Sequence, residues 1–195
     1  MKNNDKFTKK KDELMSITVD LIAAEGLEGL SMRKVADKAN IRMSTLYYYF
    51  KNKEQMIYDT FVYIHEDFLE HTKGQLCPDA KTDEEIFICY LRLNYDYMAA
   101  NPNRTLAANH LFSPTADIDK ELILKINMQS LEESPFFRFV MQLDLKSVKE
   151  LGHHVFALCF MPLYELTISP FEEDLPLSER QLTYFFKGMW KSIQD

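Results

Sequence analysis

The chain is poor in the residues that interrupt helices. Its 195 residues include five glycines and seven prolines, and the first proline is Pro78. Proline inside a helix removes a hydrogen bond and clashes with the preceding turn, so a long stretch without it favours long helices. The sequence also shows no convincing strand pattern. We therefore predict an all-α fold.

Cysteine is scarce as well. Cys77, Cys89 and Cys159 form no C-x-x-C pair and stand in unrelated surroundings. An odd number of scattered cysteines is typical of a reducing compartment in which thiols stay free and mostly buried. We expect three free thiols and a cytoplasmic protein. A redox sensor is the alternative interpretation, although nothing beside these cysteines in the sequence predicts a lowered thiol pKa.

Long apolar runs and catalytic patterns are missing too. The longest apolar run, residues 155–164, contains Pro162 and falls far short of the ~20 residues that a membrane-spanning helix needs. The N-terminal residues are polar and lack the apolar segment of a signal peptide. We see no Ser/His/Asp set, nucleophile elbow, phosphate-binding loop or cluster of metal ligands. We therefore expect no enzyme activity, no metal or cofactor, and no membrane partner.

The charge lies unevenly along the chain. Residues 1–60 hold 11 Lys and Arg against 9 Asp and Glu, whereas the rest of the chain holds 12 against 21. A mildly basic head on an acidic body suits a protein that touches nucleic acid at one end.

The stretch of residues 31–54 predicts two short helices joined by a tight turn. Ser31 is a good N-cap for the first helix, whose apolar residues fall on one face. Asn40 tolerates the left-handed conformation that such a turn requires. Leu46 and Phe50 lie four residues apart, so their side chains share one face of the second helix, which we expect to face the core. This is the arrangement of a helix-turn-helix.

Three consecutive tyrosines, Tyr47, Tyr48 and Tyr49, stand on the second of these helices. Successive helical residues are ~100° apart, so three of them span about 200° of the helix surface and so short a helix cannot bury them all. Exposed hydroxyls can bond phosphates or base edges, and the methyl group of Thr45 can meet a thymine methyl. We therefore expect this helix to lie in the major groove of DNA. The residues that we expect to contact DNA are Arg33, Arg42, Met43, Thr45, Tyr47, Tyr48, Tyr49 and Lys53.

The same part of the chain resembles the DNA-binding domain of the TetR (tetracycline-repressor-like) family of bacterial transcriptional regulators. The resemblance is most specific in the run TLYYYFKNKE, residues 45–54. Two positions depart from the family pattern: Asn40 stands at a turn position usually held by glycine, and Arg42 stands where a capping residue is common. These departures bear on which bases are read. Further residues that carry the resemblance are Ala23, Ala24, Glu25, Gly26, Ser31, Val35, Ala36 and Ile41.

The resemblance implies two domains and a function. The helix-turn-helix domain would cover residues 1–52, and a helical body over residues 53–195 would bind an effector and form a homodimer through the last two helices. We expect a ligand-responsive regulator, a repressor that binds a palindromic operator and is released by a small-molecule effector. The alternative is a helix-turn-helix adaptor controlled by a protein partner rather than a small molecule.

Apolar residues spaced three and four apart predict helices along most of the chain. The predicted helices cover about residues 6–25, 32–39, 43–50, 53–72, 83–100, 104–112, 117–133, 145–168 and 178–193, and residues 136–141 read as apolar and irregular. The helix that begins at Lys53 touches both the DNA-binding segment and the body. A shift in it would therefore move the predicted helix over residues 43–50, which we expect to lie in the DNA groove.

An effector pocket in the body would be mainly apolar, with a few polar groups. Residues of these two kinds occur together on the central helices, and ordinary core packing is the alternative for each of them. The candidates are Tyr90, Asn94, Tyr97, Met98, His110, Phe112, His153, Phe156 and Phe160.

Overall fold

The computed structural model describes residues 2–73, 77–112, 135–143, 162–164, 166–167 and 177–194. These residues are helical or lie in short connections, and no strand occurs among them, so the predicted all-α fold is confirmed. The helices whose two ends lie within the described residues are α1 (Lys2–Gly29), α2 (Met32–Lys38), α3 (Met43–Tyr49), α4 (Lys53–Lys73), α5 (Asp83–Ala100), α6 (Pro102–Phe112), α7 (Pro135–Gln142) and α8 (Glu179–Gln194).

Local sequence explains where several helices start and stop. Gly26 interrupts α1 with φ 67 and ψ −177, a conformation that costs a residue without a Cβ little. The side chain of Thr82 accepts a hydrogen bond from Glu85 N, and Glu85 returns the bond to the backbone of Thr82, which forms a capping box at the start of α5. The predicted start of α5 at Asp83 is confirmed.

One prediction about the connections was confirmed and one was wrong. The chain breaks at Asn101 between α5 and α6, as predicted, and α6 begins at Pro102, two residues before the predicted start. Proline suits a first helical position because its missing N–H would have no partner there. Residues 136–141 were expected to be irregular, yet they lie within α7, which again opens on a proline, Pro135. Val140 and Leu143 are buried, and their burial stabilises this short helix.

The chain forms two compact units. Among the described residues, the first unit comprises 2–67 and 103–112, and the second comprises 68–102 and those between 135 and 194. α4 contributes its residues up to Asp67 to the first unit and the remainder to the second. The boundary after residue 52 stays a prediction about function, whereas these units follow packing.

Each unit has its own hydrophobic core. In the first unit, Leu14, Ile22 and Val35 are fully buried, together with Leu46 and Phe50 of the predicted helix-turn-helix. In the second unit, α5 and α8 pack their apolar faces together. The buried residues of that contact are Phe87, Tyr90, Leu91, Leu182, Phe186, Met189, Trp190 and Ile193. Arg92 and Glu179 join the same two helices through a bidentate ion pair.

The expectation of three free thiols was wrong for two of them. Cys77 lies in the connection before α5, and this connection returns along the helix so that Cys77 meets Cys89 in a disulfide, with the two Cα atoms 6.3 Å apart. Cys159 lies outside the described residues. The fold brings the two thiols together although they are 12 residues apart in sequence.

None of the helices in the described parts of the chain has both the length and the apolar character needed to cross a membrane.

Candidate nucleic-acid interface

The turn between α2 and α3 has the geometry that the sequence predicts. Asn40 adopts φ 52, the left-handed region in which asparagine is tolerated. Asn40 N donates to Asp37 O at 3.1 Å, and Ile41 N donates to Ala36 O at 3.0 Å. Ser31 caps α2, since its Oγ accepts a hydrogen bond from Lys34 N at 3.3 Å. These bonds set the angle at which α3 leaves α2.

α3 has a buried side and an exposed side. Leu46 is fully buried in the first unit's core, and so is Phe50, which ends the helix. Tyr47 and Tyr48 are 53% and 72% exposed, and Thr45 is exposed beside them. Large aromatic side chains normally gain by burial, so two phenols held outward on a seven-residue helix point to a partner.

Tyr49 is only half-buried, and its ring packs against α1. The rings of Phe7 and Tyr49 stack with their centroids 4.9 Å apart, and Phe7 meets Tyr48 edge to face at 5.5 Å. Tyr48 and Tyr49 also meet edge to face at 5.3 Å. The start of α1 is therefore joined to α3 by three aromatic rings. The sequence analysis missed Phe7, although a lone phenylalanine in a polar, lysine-rich N-terminal stretch was a signal for such a contact.

The predicted cationic contacts divide into exposed and engaged groups. The side chain of Arg33 is 86% exposed, and its Nε lies 3.8 Å from Asp37, a surface pair that holds it weakly. Arg42 is exposed at the N-cap of α3 and makes no side-chain capping bond. Lys53 is half-buried and its Nζ donates to Leu27 O at 3.2 Å. Arg33 and Arg42 are thus open to phosphates, while Lys53 joins the start of α4 to the last turn of α1.

Met43 and Lys11 make contacts within the first unit rather than on its exposed side. Met43 is half-buried and packs against the first unit's core. The ammonium group of Lys11 lies 2.6 Å from Asp59 of α4 and 5.7 Å from the ring centre of Phe50. Together with the bond from Lys53, this ion pair connects α1, α3 and α4 at one place in the first unit. α3 is therefore supported by contacts that include the first turns of α4.

The structure brings four of the candidate ligand residues together on α5. Tyr90, Asn94 and Tyr97 lie on one buried face, and Met98 is half-buried beside them. The ring of Tyr97 lies 5.2 Å from both Phe68 and His71 of α4. Asn94 is 1% exposed and its Nδ2 donates to Tyr90 O, but among the described residues no donor reaches its Oδ1. Burial raises the pKa of Tyr90.

The other candidate ligand residues are not brought to this face. His110 belongs to the first unit, where its ring lies beside Gly26 of α1. The side chain of Phe112 is not among those described, and His153, Phe156 and Phe160 lie outside the described residues. In the described part of the chain, no three His, Cys, Asp or Glu side chains come together in a way that could hold a metal ion.

Sequence relatives match the head of the chain. Residues 14–59 match a family described as "Bacterial regulatory proteins, tetR family". Over 66 residues the chain is 35% identical to the HTH-type transcriptional repressor KstR2 of Mycolicibacterium smegmatis. This alignment covers 34% of this chain and 30% of that repressor. The aligned part of the chain thus spans less than a third of the length of this relative.

Solved structures share the fold along nearly the whole chain. A TetR family transcription regulator from Marinobacter aquaeolei aligns with a TM-score of 0.77 at 19% identity and covers 100% of both chains. The transcriptional regulator FadR from Bacillus subtilis, in complex with stearoyl-CoA, aligns with a TM-score of 0.69 at 18% identity and covers 93% of this chain and 96% of that chain. Residues 14–59, which contain the helix-turn-helix, therefore match the tetR family of bacterial regulatory proteins, and the chain as a whole shares the fold of these solved structures.

Proposed function

We propose that the protein is a DNA-binding transcriptional repressor that holds a palindromic operator as a homodimer and releases it when a small molecule binds to the second unit. The observation that carries the DNA-binding part is the exposed side of α3, where Thr45, Tyr47 and Tyr48 face outward from a buried base. Their hydroxyls suit base edges and phosphates, and the exposed guanidinium groups of Arg33 and Arg42 suit the flanking phosphates.

The effector part of the proposal is supported by the buried face of α5. In the described part of the chain no donor meets the buried Asn94 Oδ1, and a buried acceptor left without a donor costs about 1–3 kcal/mol. A bound molecule that presents an N–H or O–H to this oxygen would recover that cost. Tyr90 and Tyr97 are buried on the same helix about one turn before and after Asn94, and aromatic side chains of this kind usually line ligand sites.

α4 supplies a physical route between ligand and DNA. Its first turns are tied to the head by the bond from Lys53 to Leu27 and by the ion pair of Lys11 with Asp59. Its last turns meet α5 through the contacts of Phe68 and His71 with Tyr97. A ligand that favours a different position of this one helix would lower operator affinity, and by linkage the operator would lower ligand affinity equally.

The proposed homodimer forms through the last two helices. Of these, α8 lies within the described residues, whereas most of the predicted helix over residues 145–168 lies outside them. α8 uses Leu182, Phe186 and Ile193 within its own chain, so a partner would meet its other side. Tyr184 on that side is 63% exposed, and Arg180 lies over its ring at 5.6 Å. We expect Tyr184→Glu to shift the protein from dimer to monomer in sedimentation equilibrium. A dimer constant equal to that of the parent protein would place the interface elsewhere.

Selection of bound duplexes from a random-sequence DNA pool tests the DNA-binding part directly. We expect one palindromic sequence to be enriched, and Thr45→Ala and Tyr47→Ala to lose that enrichment while keeping the helical circular dichroism of the parent protein. If no sequence is enriched by a folded protein, a regulator that reads DNA is excluded and an adaptor controlled by a protein partner takes its place.

The bound ligand of FadR gives the first probe for the effector part. FadR from Bacillus subtilis was solved with stearoyl-CoA. We expect stearoyl-CoA to raise the melting temperature of the protein and to release the enriched duplex, with free coenzyme A as the matched control. Release without a rise in melting temperature would mean that the compound acts on the DNA complex by another route.

A further inference from the structure

Cys77 and Cys89 form a chemical site that the proposed function does not use. Their Cα atoms lie 6.3 Å apart, within the 4.4–6.8 Å that a disulfide spans, and the two residues are joined in that way. Both are half-buried, so small reagents can reach them. Cys89 stands two turns into α5, and Cys77 stands in the connection that precedes this helix.

A permanent structural disulfide fits this chain poorly. Small secreted domains need such bonds because their cores are small, whereas each unit of this protein has a well-filled apolar core. A protein that binds DNA in the cell works in a reducing compartment, where disulfides are rare and usually transient or sensory. This step rests on the proposed function. The pair therefore suits a bond that forms and breaks.

The position of the pair connects it to α4. α4 ends at Lys73, four residues before Cys77, and its last turns contact α5 through Phe68 and His71 on Tyr97. Ala80 N donates to Cys77 O at 3.1 Å, so Cys77 stands at the start of a preformed turn. The disulfide attaches this turn to α5 and thereby limits where the end of α4 can lie relative to α5.

We propose that Cys77 and Cys89 are a reversible dithiol–disulfide switch, closed by a peroxide and opened by a dithiol reductant, that changes the affinity of the protein for its operator. The effect passes through α4, whose first turns support α3 through Lys53 and Lys11. A covalent bond shifts an equilibrium whenever the two states of α4 place the two thiols at different distances.

The closing reaction balances with one peroxide. One thiolate attacks a peroxide oxygen, the O–O bond breaks, and a sulfenic acid and one water form after proton transfer. The second thiol attacks the sulfenic sulfur, the S–S bond forms, the S–O bond breaks, and the oxygen leaves as a second water. The two thiols supply two electrons to the peroxide. A dithiol returns them by thiol–disulfide exchange and is itself oxidised to a disulfide.

The test compares reduced and oxidised protein on DNA. The purified full chain is treated with dithiothreitol or with hydrogen peroxide, and each form selects from a random-sequence duplex pool. The affinity of both forms for the enriched duplex is then measured. We expect roughly a 5- to 150-fold difference, the range of typical coupling between sites, and its reversal by dithiothreitol. Mass spectrometry after alkylation counts the thiols in each form, with three expected in the reduced form and one in the oxidised form.

The third cysteine provides a matched control. Cys77→Ser and Cys89→Ser should each abolish the response to peroxide, while Cys159→Ser should keep it. The thiol count and the two affinities of the parent protein do not depend on whether a serine variant folds.

Four results would overturn the switch. They are three alkylated thiols after peroxide, a peroxide response that survives in Cys77→Ser, equal operator affinity in the two forms, and no DNA binding by either form. Equal affinity leaves the proposed function standing. The absence of all DNA binding removes the proposed function as well, so the two failures are distinguishable.

Discussion

The aromatic side chains of the two units lie in different places. Among the described residues, two of the 17 members of the first unit's buried cluster are aromatic, whereas four of the 11 members of the second unit's cluster are. On the described surface the order reverses, because α3 of the first unit exposes both Tyr47 and Tyr48 and α8 of the second exposes Tyr184. The first unit thus builds its buried cluster mainly from aliphatic residues and exposes two phenols on one short helix.

This difference separates an informative aromatic residue from an uninformative one. A buried ring such as Phe87 contributes area and packing, and its presence says little about function. An exposed ring forgoes that gain, so its position marks a surface where something else binds. By this reasoning Tyr47 and Tyr48 support the proposed DNA-binding side of the protein, and Tyr184 supports the proposed dimer side.

The largest expected effect is on the second unit's core. Phe87 is fully buried and its ring centre lies 5.2 Å from that of Trp190. We expect Phe87→Ala to lower the free energy of unfolding by about 3–5 kcal/mol, because it removes a buried ring and leaves a cavity. Urea denaturation followed by circular dichroism measures the change. Lys187→Ala on the exposed side of α8 is the control and should stay within about 0.5 kcal/mol. A loss of less than 1 kcal/mol for Phe87→Ala would mean that this ring is not part of a packed core.

Tyr47 should show the opposite behaviour. Tyr47→Ala removes an exposed ring, so we expect the free energy of unfolding to change by less than about 0.5 kcal/mol. Affinity for the selected duplex should fall by about 1–3 kcal/mol if the phenol reads a base. Fluorescence anisotropy with the labelled duplex measures the affinity. Unchanged affinity together with reduced stability would reverse the comparison and make Tyr47 a packing residue.

Features of the fold that depend on neighbouring residues were predictable from the sequence. The helix-turn-helix was predictable because its signals are local: a cap at Ser31, a left-handed turn at Asn40, and an i, i+4 pair in Leu46 and Phe50. The structure confirms each of them. Local patterns also predicted α5 and its capping residue Thr82, because side-chain capping depends on neighbours in the chain.

The failures concern contacts between distant residues. The disulfide joins Cys77 to Cys89 only because the connection before α5 folds back, and no local pattern encodes that return. The contact of Phe7 with Tyr49 joins residues 42 positions apart, and the lone phenylalanine in the sequence gives no indication of which residue it meets. The candidate ligand residues were chosen by type alone, so His110 and Tyr90 were grouped although they belong to different units.

Phe7 refines the comparison between buried and exposed aromatic residues, because its ring is only partly buried. It is half-buried, and it stacks on Tyr49 and meets Tyr48 edge to face. We expect Phe7→Ala to lower the free energy of unfolding by about 0.5–1.5 kcal/mol, the value of an aromatic pair. Operator affinity should fall as well, because α3 loses its contact with the start of α1. Phe7→Leu keeps an apolar contact and should recover part of both losses. If Phe7→Ala left operator affinity unchanged, Phe7 would have no positioning role.

The smallest expected effect concerns a polar contact in the second unit and its dependence on pH. A hydrogen bond from the Arg92 guanidinium holds the pKa of Glu179 below its ordinary value of 4.5. Since the pKa is lower in the folded state, the bond stabilises the protein above pH 4.5 and is lost as the pH falls through the lower, folded value. We expect Glu179→Gln to lower the melting temperature slightly at pH 7, and this difference to shrink towards zero in acid.

A double-mutant cycle isolates this pair from other charges. In an Arg92→Met background, Glu179→Gln should have no further effect on the melting temperature at pH 7, because the donor is already gone. Salt should also reduce the single-variant difference, since the pair lies at the surface. A difference that persisted in acid, or that survived in the Arg92→Met background, would show that Glu179 acts through packing rather than charge. Aromatic burial alone would then account for the contact between α5 and α8.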